Sequence, residues 1–287
     1  MRLWKAYFFI ISCFLTLGCS QSHQHPLAIC AMFKNEAPWL KEWLTYHHEV
    51  LGVDHFYLYN NDSTDGYYDV LLPFINQGIV ELFDWDSKDP SHLAFGPFMD
   101  APWSACQLGA YNDCLKKRAL GNAKWVAVID IDEYIVPAQG VSSFYALLKD
   151  AEQKKKGTIR LHWKVFGTSD VSSLSDHDLL IEKLTWRSLD SHPWNRLFKS
   201  IHQPEAISFC LVHKAEKLNK KFRKKTISPE LACIHHYWTR TSQFCLEKRK
   251  MSKESSPEFF DALHQIEDPT ILQYVPILKK GMQSLNR

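Results

Sequence analysis

The 287-residue chain lacks a strong charge of either sign: 34 Lys and Arg face 32 Asp and Glu, for a formal net charge of +2. That balance leaves no basic footprint for a nucleic acid partner. It also lacks internal repeats and low-complexity tracts. None of its 8 cysteines forms a Cys-x-x-Cys pair, so there is no paired-ligand or redox motif of that kind. No apolar run reaches the ~20 residues that a membrane-spanning helix needs. What remains is ordinary globular material, 45% hydrophobic and 23% charged, with length for one large domain or two small ones. Aromatics make up 13%, with 10 Trp, which suits a large core or sugar-stacking platforms.

Residues 1–20 differ from the rest. Arg2 and Lys5 open a basic start, Ala6 to Leu17 is apolar or small apart from Ser12 and Thr16, and Gly18-Cys19-Ser20 supplies small residues. This is the layout of a secretory leader. Leu15-Thr16-Leu17-Gly18-Cys19 also resembles a bacterial lipoprotein signal, with Cys19 as the lipidated residue and Thr16 in place of the usual Leu. The expectation is an exported or membrane-associated protein, held by a cleaved signal peptide, a lipid or a short anchor. Cys30, Cys106, Cys114, Cys210, Cys233 and Cys245 lie beyond the leader. Cys30 in an apolar strand and Cys114 in a helical pattern read as buried thiols.

Pro26 to Phe33 is a continuous apolar run, the pattern of a buried parallel strand. Lys34-Asn35-Glu36 is a polar turn. Pro38 then opens a helix at its favoured early position, and Gly52 ends it. Asp54 to Asn60 reads as a second strand and Asn61 to Gly66 as a capping loop. A helix over 67–76 and a strand over 79–85 follow. Residues 86–103 read as a long loop, and 104–120 as a helix. Strands alternating with helices predict an α/β fold with a mostly parallel central sheet flanked by helices. Ligands then bind beyond the carboxyl ends of the strands, where the turns at 34–36, 60–66 and 130–133 converge.

The chain is organised around Lys124 to Val136. Its apolar start and Ile135-Val136 read as one buried strand. A buried strand should not carry Asp130, Asp132 and Glu133 without reason, because unpaired charge is expensive to desolvate. Alternation places Asp130 and Asp132 on one side of an extended chain, where two hard oxygen ligands suit Mn²⁺ or Mg²⁺. Downstream, a helix is expected over 142–155, a strand over 158–166 and two short strands over 196–213 broken at Pro204. Lys214 to Lys225 reads as a loop or solvated basic face. A helix over 242–253 and a looser helical tail over 254–287 complete the pattern. The domain boundaries expected are thus 1–20, 26–253 and 254–287.

Several blocks resemble the family 92 glycosyltransferases and their relatives among the family 2 transferases. These are Ala28 to Leu44, Phe56 to Asp65, Gln107 with Ala110-Tyr-Asn-Asp-Cys114, Trp125 to Tyr134, Trp163 to Gly167 and His235-His-Tyr-Trp238. They occur in family order; the chain departs near Asp170, where the pattern usually has Gly. The resemblance implies a GT-A type fold with a smaller C-terminal acceptor-side region, a nucleotide-sugar donor such as a UDP-sugar, a glycan acceptor and a divalent metal, commonly Mn²⁺. It also implies galactosyl transfer with inversion as a frequent activity.

On that reading Asp132 contacts the metal. Asp130 binds the metal or the donor's ribose or sugar. Glu36 and Asp62 hold the nucleotide, with Asn35 and Asp65 beside them. His236 or His235 completes the metal site, since imidazole is a common ligand; His213 is a further candidate, though a lone His is more often structural. Inversion needs a general base for the acceptor hydroxyl: Asp170 is the first choice and Asp190 the second, neither taken from a family motif. Two other functions fit the acids and histidines, a metal-dependent phosphoesterase and a non-catalytic membrane-tethered binding protein.

Overall fold

The computed structural model describes residues 24–93 and 102–285. The leader lies outside the described residues. Strand β1 (His25–Phe33) leads into α1 (Ala37–Thr45), which continues as a π turn to Val50; β2 (His55–Asn60), α2 (Tyr67–Asn76) and β3 (Val80–Asp84) follow. Next come α3 (Pro102–Asp113), β4 (Ala123–Val128), β5 (Glu133–Pro137), α4 (Val141–Gln153) and β6 (Lys156–Val165). A short α5 (Leu180–Lys183) and β7 (Trp186–Arg187) precede β8 (Phe198–His202), β9 (Ile207–Cys210), β10 (Ala215–Leu218), β11 (Arg223–Thr226) and β12 (Ala232–His236). The chain closes with α6 (Ser242–Phe244), α7 (Pro257–Ala262), β13 (Ile266–Glu267) and α8 (Val275–Ser284).

The central sheet runs β3-β2-β1-β4-β8-β6-β12-β5, with β11 also on β6. The first four strands are parallel, and β8 enters antiparallel between β4 and β6. Residues 27–33 of β1 are buried throughout, as a strand covered on both faces must be. One face is packed by α1, α2, α4 and α8 around Trp43, Phe56, Leu58 and Leu278. The other is packed by α3 around Cys30, Cys106, Tyr111 and Cys114. All six cysteines beyond the leader are free and buried.

Three elements differ from the sequence reading. The stretch 124–136 is two strands, not one. β4 ends at Val128, and Asp130 to Asp132 forms a turn closed by Glu133 N–H donating to the Asp130 carbonyl at 3.1 Å. The Glu133 carboxylate accepts from the Asp130 N–H at 2.9 Å, so it caps the turn. β5 then leaves for the far edge and pairs antiparallel with β12. Second, the basic stretch 214–225 contains strands. β11 pairs with β6 along an exposed, Lys-rich edge, a composition that blocks further strand addition. Third, the tail beyond 254 is built into the core. Asp268 accepts from Arg187 Nε at 2.7 Å and Lys164 Nζ at 2.9 Å, and Tyr274 donates to the Pro137 carbonyl at 2.6 Å.

Burial sets a pH profile for stability. His47, His202 and His235 are fully buried, and loss of solvation lowers each to about 3. The unfolded chain protonates them near 6.5, so their contribution is present above that value and lost as pH falls toward 3. Burial raises Glu42 and Glu133 to about 7; these act oppositely between about 4.3 and 7. The net profile is shallow from pH 7 to 5 and steep below about 4.5, at about 1.4 kcal/mol per pH unit for each histidine. Urea midpoints measured across this range check it; a steep loss already at pH 6 would contradict the assignment.

Candidate active site

The parallel strands end in polar turns that are stitched together. Asn35 and Asp62 adopt left-handed backbone (φ 55° and 53°), which short polar side chains tolerate. Asn35 Oδ1 accepts from the Thr64 N–H at 2.7 Å, and Asp65 Oδ2 from the Ala37 N–H at 2.8 Å at the start of α1. These two bonds fix the turn after β1 against the turn after β2. Asn35 and Asp65 line a broad groove of about 820 Å³ beside Trp39 and Phe244. The chemistry gathers in a smaller cavity next to it, of about 430 Å³, within the range of small-ligand sites. Its lining includes Lys34, Glu36, Trp103, Gln107, Asp130, Asp132, Trp163, His213, His236, Trp238, Arg240 and Arg249.

Asp130 and Asp132 play different parts. Both line the cavity, and they have different neighbours. Gln107 and Tyr111, one turn apart on α3, face Asp130; the Tyr111 hydroxyl donates to its Oδ1 at 2.9 Å. Lys199 on β8 donates to Oδ2 at 2.6 Å. Each oxygen of Asp130 accepts one of these bonds, and the side chain still lines the cavity, where its remaining lone pairs face a donor or a cation. Lys199 is 1% exposed. Burial alone would lower it, but Asp130 and Glu133 hold it well above the usual lysine range.

Asp132 is 7% exposed, yet no hydrogen bond to its side chain occurs among the described residues. Its Oδ1 stands 3.6 Å from His236 Nε2 and its Oδ2 3.7 Å from Arg249 Nη2. Burial alone would raise its carboxyl. The charge of His236, then Arg240 and Arg249, outweighs this and holds it well below the usual range. His236 moves the other way, upward: Asp132 outweighs its burial. The pair is therefore an ionised carboxylate and an imidazole facing one space.

From the C-terminal side come two arginines. Arg240, 1% exposed, has left-handed backbone (φ 49°), and its guanidinium lies 4.9 Å from the Trp39 ring centre and 4.6 Å from that of Phe244. Its Nη1 forms an ion pair with Glu36 Oε2 at 2.6 Å, and among the described residues its buried Nε has no hydrogen-bond partner. Burial raises the Glu36 carboxyl, partly offset by Arg240. Arg249, on the π turn after α6, stacks 4.5 Å above Trp238. A turn of this type often marks a functional site.

The structure brings Glu36, Asp130, Asp132, His213 and His236 together, sets Asn35 and Asp65 in the neighbouring groove, and leaves His235, Asp170 and Asp190 elsewhere. His235 sits on the opposite face of β12, at 4.5 Å from the Phe166 ring, because adjacent strand residues point opposite ways. Asp170 lines a separate pocket near Lys253 and His264. Asp190 is exposed and pairs with Arg187 at 2.7 Å. Asp62 sits near Cys106, where its charge adds to the burial that raises that thiol. Sequence reading missed Lys199, Arg240 and Arg249; only the run Trp238-Thr-Arg240 beside the His-His block hinted at one of them.

A divalent cation fits the Asp132–His236 pair. A carboxylate and an imidazole suit Mn²⁺ or Mg²⁺, and Mg²⁺ is commonly held by one or two carboxylates plus substrate phosphates. No cluster of three or more His, Cys, Asp or Glu ligands occurs among the described residues, so phosphate oxygens and water would supply the remaining ligands.

The site is thus a carboxylate–imidazole pair flanked by arginines, at the ends of the parallel strands of a mixed sheet. The family model for glycosyltransferase family 92 matches residues 25–279, and the chain belongs to that family. It is 26% identical over 224 residues to a family 92 protein of Arabidopsis thaliana, covering 75% of this chain and 35% of that one. A family 92 protein of Ricinus communis is 25% identical over 228 residues, covering 77% and 36%. The chain thus spans about a third of the length of these relatives. Among solved structures, S. aureus TarS is similar over 91% of this chain and 83% of its own (TM-score 0.43, 10% identity). The mannosyltransferase PcManGT from Pyrobaculum calidifontis, in complex with GDP-Man and Mn²⁺, is similar over 93% and 76% (TM-score 0.42, 13% identity).

Proposed function

We propose that this chain transfers a sugar from a nucleotide-diphosphate donor, with a UDP-sugar the favoured class, to a hydroxyl of a glycan or related acceptor. The observation that carries this reading is Asp132: a buried carboxylate kept ionised, lining the cavity 3.6 Å from His236 and 3.7 Å from Arg249. A buried charge without hydrogen bonds is costly, and a cation–diphosphate unit would satisfy it. When bound, the cation would neutralise charge on the departing diphosphate. Arg249, Arg240 and Lys34 add positive charge around the same space. Asp130, locked by Lys199 and Tyr111, offers a fixed acceptor for donor hydroxyls.

Galactose as the sugar and inversion as the outcome are supported by the family resemblance alone. Location at a membrane, or beyond the cytosol, is supported by the sequence of residues 1–20 alone; among the described residues no helix is long and apolar enough to cross a membrane. The test is calorimetry of residues 24–287 with UDP, with and without Mn²⁺. Binding that requires Mn²⁺ is expected. Phosphate release from simple esters without nucleotide binding would instead establish the phosphoesterase.

A further inference from the structure

An acceptor hydroxyl must lose a proton as it attacks, and each acid of the cavity faces a cationic side chain that weakens it as a base. Asp130 is held by Tyr111 and Lys199, Glu36 by Arg240, and Asp132 faces His236. The remaining group is His213, which lines the same cavity.

His213 stands in the hairpin between β9 and β10, and three contacts anchor it to the sheet. Its Nδ1 lies 3.0 Å from the Phe198 carbonyl. A carbonyl only accepts, so Nδ1 carries the proton and Nε2 keeps its lone pair. The Ser200 hydroxyl donates to the His213 carbonyl at 2.7 Å. The Trp163 ring meets the imidazole edge to face, 5.5 Å between centres. No hydrogen bond to Nε2 occurs among the described residues. Burial, then the charge of Lys199, lowers its proton affinity, partly offset by Asp130. A neutral imidazole with its tautomer fixed by a backbone carbonyl is the arrangement of a general base.

We infer that His213 is the catalytic base of the transfer, a role resting on the glycosyltransferase reading above. In the step, the acceptor oxygen forms a bond to the anomeric carbon while its proton passes to His213 Nε2. The bond from that carbon to the β-phosphate oxygen breaks, and its electron pair leaves with the nucleoside diphosphate. With water as acceptor, the same step releases free sugar and UDP from a UDP-sugar. His213 and the Asp132–His236 pair line the same cavity, with the Trp163 ring touching both imidazoles at 5.5 and 4.2 Å between centres.

The test compares His213→Ala and His213→Gln with wild type over residues 24–287, using UDP-galactose and Mn²⁺ with water as acceptor. UDP release measures turnover, and calorimetry with UDP measures binding. Both variants are expected to bind UDP as wild type does and to release it at least about a hundredfold more slowly. Added imidazole should restore turnover in His213→Ala but not in His213→Gln, where the side chain fills the space. Turnover within tenfold of wild type, or a loss that imidazole leaves untouched, overturns the assignment while the transferase reading stands. A wild-type protein that neither binds nor releases UDP overturns both.

Discussion

Asp132→Asn is expected to abolish Mn²⁺-dependent UDP binding and to lower sugar transfer by about a thousandfold or more, with the fold intact. The substitution preserves shape and removes one charge. No hydrogen bond to the side chain is lost, since its contacts are ion pairs at 3.6 and 3.7 Å. The fold holds this carboxyl below its unfolded value through His236, Arg240 and Arg249, so losing the charge should lower the urea midpoint at pH 7 modestly without unfolding the protein. The effect on turnover follows from losing both a cation ligand and charge stabilisation of the leaving diphosphate; removing a single preorganised donor from such a site already costs about 10²–10³ in rate. Calorimetry, turnover and urea unfolding of the same variant check the prediction. Unchanged UDP binding would remove Asp132 from the site, and a collapsed midpoint would make it a structural acid.

Lys199→Met should cost about 3–5 kcal/mol of stability, because removing one partner of a buried ion pair strands the others. Lys199 is 1% exposed and joins Asp130 at 2.6 Å to Glu133 at 3.4 Å, the latter fully buried. Against a typical stability of about 5–15 kcal/mol, this is the largest single-residue loss expected in the domain. The loss has a pH signature. Burial raises Glu133 to about 7, and Lys199 is the main influence opposing that rise. Without Lys199 the folded value climbs further. A carboxyl raised in the fold loses stability as pH increases from its unfolded value, near 4.3, to its folded one. The variant therefore keeps weakening above pH 7, and its deficit is greater at pH 8 than at pH 6. Urea unfolding at both values checks this; the double variant Lys199→Met/Glu133→Gln should recover part of the loss. A deficit independent of pH would mean that the lysine's packing, not its charge, matters.

Much of the fold was legible in residue pattern alone. Apolar runs such as Leu27 to Phe33, Pro38 near a helix start and Gly52, Gly78 and Gly121 at positive φ all mark local events. Local events are set by neighbours in the chain, and the chain shows its neighbours. The turn at 130–132 was flagged because three acids in an apolar stretch are costly wherever they fold. The same logic failed at Lys214 to Lys225, where charge suggested a loop: an edge strand exposes its side chains and tolerates lysine.

Composition and spacing by themselves determined an α/β chain and a polar cluster at the strand ends, and the ordered motif blocks carried the resemblance to a family. Only the tertiary structure decided which acid was free. Asp130 and Asp132 look equivalent in the sequence, but a lysine 69 residues away engages one and leaves the other open. His235 and His236 are likewise a matched pair until β12 sits between β5 and β6, which sends one ring into the core and the other into the cavity. Asp170 and Asp190 are acids of suitable type that the chain carries elsewhere, while His213, Arg240 and Arg249 arrive from distant segments. Desolvation and pairing depend on what surrounds a group in space, and the linear order does not contain those distances.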